Sequence, residues 1–128
     1  MKPRGGLAWI CALGLTAAAG PVLAAVPVEL WRGGDDGLTN RAFDALEKAF
    51  GDATDFNPAR PGEGVVKVTI TDHLAWRQDG DVLRATAPYE ISRAGAAPLV
   101  GKATCTETTL PVCADKIVRA TRKYLKNR

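Results

Sequence analysis

The stretch Val65-Val66-Lys67-Val68-Thr69-Ile70-Thr71-Asp72-His73-Leu74-Ala75-Trp76-Arg77 decides the fold. Val66, Val68, Ile70, Leu74 and Trp76 share one parity, and Lys67, Thr69, Thr71, His73 and Arg77 share the other. That period of two predicts one continuous β-strand with a single buried face. Asp72 has the parity of the buried residues. A carboxylate there must find a partner, lie beyond the core or sit at a bulge, and the expectation is that it is exposed. His73, the only histidine in the chain, points to the opposite face on a regular strand, so it cannot act with Asp72 as an acid–base pair.

Upstream of this stretch, Val26 to Trp31 alternates as a short strand and ends at Gly33-Gly34-Asp35-Asp36-Gly37. A helix follows, with Thr39 as its expected N-cap, Leu38 and Phe43 as a hydrophobic staple, and Phe43, Leu46 and Phe50 along one stripe. Gly51 is its expected stop, and Asp52 to Gly64, with no apolar period, reads as a loop. Downstream, Gln78-Asp79-Gly80-Asp81 predicts a tight hairpin into a strand from Val82 to Ser92. Pro88 inside that strand cannot donate to a ladder, which calls for a bulge or an unpaired edge. Leu99 to Thr106 is a further strand, and an amphipathic helix runs from about Pro111 to Lys126. The order β-α-β-β-β-α predicts an α+β two-layer sandwich: a four-stranded mixed sheet with two helices on one face.

The N-terminus reads as an address. Lys2 and Arg4 precede a charge-free apolar run from Leu7 to Ala19, Pro21 breaks it, and Val22-Leu23-Ala24 fits a signal peptidase, with cleavage expected after Ala24. The run is shorter than the roughly 20 residues a spanning helix needs. Residues 1–24 are therefore read as a cleaved signal peptide and 25–128 as one domain without a transmembrane span, periplasmic or secreted. Loss of Lys2 and Arg4 leaves 15 basic against 14 acidic residues, +1, too little to draw nucleic acid. Cys105 and Cys113, the two cysteines of that domain, are expected to be bonded in an oxidising compartment.

Asp35 and Asp36 lie beside a helix start, where its dipole favours them; they lack the spaced oxygen ligands of a calcium loop. Asp72 and His73 are the other weak candidates, and with no spare cysteine a zinc site would need carboxylates for most of its ligands. Ser92, the chain's single serine, lies in no nucleophile motif. No nucleophile, base and oxyanion donor converge in the sequence, so no catalytic residue, metal or cofactor is expected. Lys116, Arg119, Arg122, Lys123 and Lys126 form a basic face on the last helix, a solvated surface or a patch for anionic lipid or an acidic protein.

The segment Leu30 to Phe50, with Asp44-Ala45-Leu46-Glu47 in its helix, and the closing helix Ile117 to Leu125 resemble the small periplasmic modules typified by LptE and by the N-terminal domain of TolB-like proteins. The resemblance implies an envelope-assembly module. The function expected is that of an exported, non-enzymatic cell-envelope protein that binds an envelope protein or an anionic lipid surface. The alternatives are a small periplasmic hydrolase or metal-dependent enzyme, and a secreted inhibitor or effector.

Overall fold

The computed structural model describes residues 25–127, and the expected signal segment lies outside the described residues. The first strand, β1 (Val26–Arg32), leads to α1 (Gly37–Asp52), then β2 (Phe56–Pro58), β3 (Val66–Ile70), β4 (Ala75–Asp79), β5 (Val82–Ser92) and β6 (Leu99–Thr106). A short 3₁₀ turn at Glu107–Thr109 passes into α2 (Leu110–Lys126). The architecture is the expected α+β sandwich with both helices on one face of a mixed sheet. The sheet has six strands rather than the expected four, in the order β2-β1-β3-β5-β4, with β6 on the other side of β5.

The first extra strand arises because Val65–Arg77 is two strands laid end to end along one edge of β5. β3 stops with Ile70 opposite Tyr89, and β4 starts with Ala75 opposite Thr86. Thr71 to Leu74 therefore face only Ala87 and Pro88, which inserts two extra residues. Pro88 has no N–H to offer, and its carbonyl takes the Thr71 N–H at 3.0 Å before the chain leaves the ladder. An even insertion preserves parity: Ile70 faces the helices on one side of the break, and Trp76, opposite buried Ala85, has the same facing on the other. The alternation thus runs through a break it does not report.

The second extra strand, β2, lies inside the expected loop. Its three residues pair in parallel with β1 from Val26↔Phe56 to Val28↔Pro58, and Phe56 meets Phe50 edge to face at 5.0 Å. β3 takes up the other side of β1 at the level where β2 ends, since Val28 is opposite both Pro58 and Val66. Residues 59–65 must therefore cross β1, and they do so over Glu29. Its carboxylate accepts the Gly62 N–H at 2.9 Å, the Gly64 N–H at 2.8 Å and the Trp31 indole N–H at 3.1 Å. Those donors, the Gly64 amide foremost, hold the Glu29 carboxyl below its usual range. The crossing is tight enough to require glycine: a Cβ on Gly64 would lie 2.5 Å from Glu29 Cγ and 2.9 Å from its backbone nitrogen.

Val28, Val66, Val68, Ile70, Ala85, Ala87, Ile91 and Ala103 form the sheet's contribution to the core. Leu46 and Phe50 of α1 and Ile117 and Val118 of α2 close over them. Each large side chain so buried contributes about 1.5–3 kcal/mol. Cys105 and Cys113 are bonded, with S–S 2.02 Å and Cα atoms 5.4 Å apart, and fasten the start of α2 to the end of β6. Among the described residues, the opposite face of the sheet carries no helix.

Candidate functional site

The break between β3 and β4 brings together the residues that the sequence left in two separate places. Asp36, not Thr39, is the N-cap of α1; its Oδ2 accepts the Thr39 N–H at 3.2 Å. Leu38 and Phe43 therefore do not stand at the positions a hydrophobic staple requires, and the helix runs through Gly51 to Asp52. Thr39 is wholly buried, and its hydroxyl donates to Asp36 Oδ1 at 2.6 Å while accepting the Leu74 N–H at 3.0 Å. His73 Nδ1 contacts the same Oδ1 at 2.5 Å. One carboxylate thus caps α1, orients the hydroxyl that receives the chain's return into β4, and holds the imidazole.

Glycine makes the approach possible. The loop after β1 runs so close to the break that a Cβ on Gly33 would lie 2.6 Å from the Thr71 carbonyl oxygen, and one on Gly34 would lie 2.8 Å from His73 Nδ1. The Gly33 N–H donates to the Ile70 carbonyl at 2.7 Å, extending the β1–β3 ladder one residue into the loop.

The electrostatics follow from these contacts. The Thr39 hydroxyl, and after it the His73 ring, hold the Asp36 carboxyl far below the carboxylate range. The Asp36 carboxylate in turn raises His73, with smaller contributions from Asp72 and Asp35. Asp72 is exposed, as expected, and its Oδ1 accepts the His73 backbone N–H at 2.8 Å, a local turn contact rather than a contact with Asp36. Asp35 contributes its backbone carbonyl to Asn40 Nδ2 at 3.0 Å. Of the four weak candidates, Asp36 and His73 meet side chain to side chain, whereas Asp35 and Asp72 flank them.

An imidazole fixed through Nδ1 by a carboxylate presents Nε2 as a proton acceptor or donor. Thr39 is committed on both sides, and Cys105 and Cys113 are bonded to each other. Among the described residues, no group of three or more His, Cys, Asp and Glu could hold a metal ion.

The basic face of α2 is largely engaged within the chain. Arg119 pairs with Asp115 at 2.8 Å, and Arg122 grips Asp55 with two bonds of 2.7 and 3.0 Å while lying 5.9 Å over the Phe56 ring. Lys116 Nζ donates to the Thr104 carbonyl at 2.7 Å. Lys123 and Lys126 stand in the last turn, where the helix dipole favours cations.

A third feature is the state of the sheet edges. Pro88 turns its carbonyl to β3, so by the antiparallel alternation Thr86 and Thr104 are a non-hydrogen-bonded pair and Thr104 turns its own groups outward. Lys116 occupies that outward carbonyl, a charged block on the β6 edge. The β2 edge is three residues long and ends in Pro58. By the same alternation, the outward groups of β4 are the N–H and C=O of Trp76 and Gln78. All five residues of β4 are exposed, and Trp76 is 64% exposed. Its position follows from the clasp below it: Thr39 holds the Leu74 amide, the Leu74 side chain is buried, and β4 starts at the next residue.

No protein-family model and no curated protein matches this chain.

Proposed function

We propose that this chain is an exported, non-enzymatic cell-envelope protein that binds a protein partner by pairing an extended segment of it with the free edge of β4. The observation that carries the reading is Trp76, a large aromatic residue left exposed on an edge strand with outward backbone donors and acceptors. Aromatic residues of this kind anchor protein interfaces, while main-chain bonds supply register and affinity. The β2 edge is three residues long and the β6 edge carries a lysine on its Thr104 carbonyl, which favours β4.

Export rests on the basic start, apolar run and Val22-Leu23-Ala24 of the N-terminus, and a bonded cysteine pair suits the periplasm or the exterior. Among the described residues, no helix is long and apolar enough to cross a membrane. A part in envelope assembly, which the resemblance to LptE-like and TolB-like modules implies, belongs to the same reading. An anionic lipid surface is the weaker partner for α2, because Lys116, Arg119 and Arg122 are already engaged within the chain.

The test is capture from native envelope with wild-type protein and with Gln78→Pro. Proline at that edge position removes an outward N–H without breaking the β4–β5 ladder. Capture lost in a folded Gln78→Pro protein supports the reading, and equal capture contradicts it.

A second reading, a small hydrolase, has one observation in its favour: Asp36 fixes His73 through Nδ1. It predicts that His73→Ala abolishes a measurable hydrolytic activity while leaving capture intact.

A further inference from the structure

A trough runs across β4, β5 and β6 at the β4 edge, where Trp76 also lines it. Ala75, Thr86 and Thr104 stand in register and form its floor. The Thr86 and Thr104 hydroxyls lie 3.4 Å apart. Arg77 and Arg84, directly opposite one another in the next row, form one wall and line the same concavity. Lys102, two residues from Thr104 along β6 and so about 7 Å away on the same face, stands on the other side. Lys116 reaches the β6 end of the trough at the Thr104 carbonyl.

Like charges directly opposite on neighbouring strands destabilise a sheet. Here one acid addresses them: Asp79 takes Arg84 Nε at 3.0 Å. Neither Arg77 nor Lys102 enters any ion pair among the described residues. Two guanidinium groups, one of them shared with Asp79, and two hydroxyls thus line a concave floor of small side chains, with Lys102 on the same face of the sheet. That set offers donors from several directions, more than the two oxygens of a planar carboxylate use and suited to a tetrahedral group with three free oxygens. We propose that this trough is a phosphoryl-binding site, with Arg77 as its principal ligand, Arg84 and Lys102 flanking it, and the threonine hydroxyls beneath.

The test titrates isotope-labelled protein with inorganic phosphate, following amide resonances against a chloride control of equal ionic strength. A second arm measures co-sedimentation with phosphatidylcholine vesicles with and without phosphatidic acid. The expected result is a set of phosphate-dependent shifts centred on Arg77, Arg84, Thr86 and Thr104. Arg77→Ala should weaken binding about tenfold, and Lys102→Ala should weaken it less. Binding to inorganic phosphate alone assigns a free phosphorylated solute; binding to phosphatidic acid vesicles through Arg77 assigns a lipid headgroup, and either supports the site. Shifts reproduced by chloride, shifts confined to Lys123 and Lys126, or affinity unchanged in a folded Arg77→Ala protein would overturn it. Should Arg77→Ala fail to fold, Lys102→Ala decides.

Discussion

His73 and Asp36, 37 residues apart in sequence, share a single contact at 2.5 Å between Nδ1 and Oδ1. That contact closes the break between β3 and β4 onto the N-terminus of α1. Both side chains are about half exposed, so the pair acts as a positioning clasp on the surface rather than as a source of core stability.

The clasp has a defined pH window. Asp36 is depressed from 3.8, so its contribution is fully present above that value and is lost as pH falls through the lower folded one. His73 is raised from 6.5, so its contribution is fully present below that value and is lost as pH rises through the higher folded one. The gap in melting temperature between wild type and His73→Asn should therefore be widest from about pH 4 to 6.5, at about 3 °C, and should close above that range. A gap independent of pH would mean that the ring packs without its charge contributing.

The crossing over β1 should be intolerant of a side chain. Gly64→Ala places a methyl group against the Glu29 side chain and backbone, and should cost about 2–3 kcal/mol in urea denaturation. Glu29 adds a sign: with its carboxyl depressed, wild type should lose stability as pH falls through the folded value, whereas Glu29→Gln should lose less over the same interval.

The Cys105–Cys113 bond closes a loop with a sequence separation of 8. Replacing both cysteines by alanine should lower stability by about 2.5 kcal/mol in the chain-entropy account. The loss should appear in chemical denaturation of the folded variant, with far-UV circular dichroism unchanged.

The sequence carried most of the fold and less of the site, for reasons that particular residues make plain. β5 and β6 fall where alternation put them, Val82–Ser92 and Leu99–Thr106, because their buried faces are regular and their ends are marked by turns. The β3–β4 break was invisible in its own stretch, since two inserted residues restore the parity. Pro88 on the facing strand was the signal for it, but using that signal required knowing which residues Pro88 opposes. β2 was hidden because three residues ending in a proline make no period. Asp35, Asp36, Asp72 and His73 were all singled out, but the pairing of Asp36 with His73 depends on the break and on Gly33 and Gly34, and is a tertiary fact. Glu29 is buried by the residue 59–65 crossing of its own chain, which local pattern does not encode.

The most direct test of the account is amide hydrogen exchange at Trp76 and Gln78 in the isolated protein and in the protein bound to the partner captured from native envelope. Pairing of a partner strand with β4 predicts strong slowing at those two amides on binding, with the inward-paired amides of Ala75 and Arg77 changing far less. Exchange unchanged at Trp76 and Gln78 in the complex, with protection gained elsewhere, would contradict it.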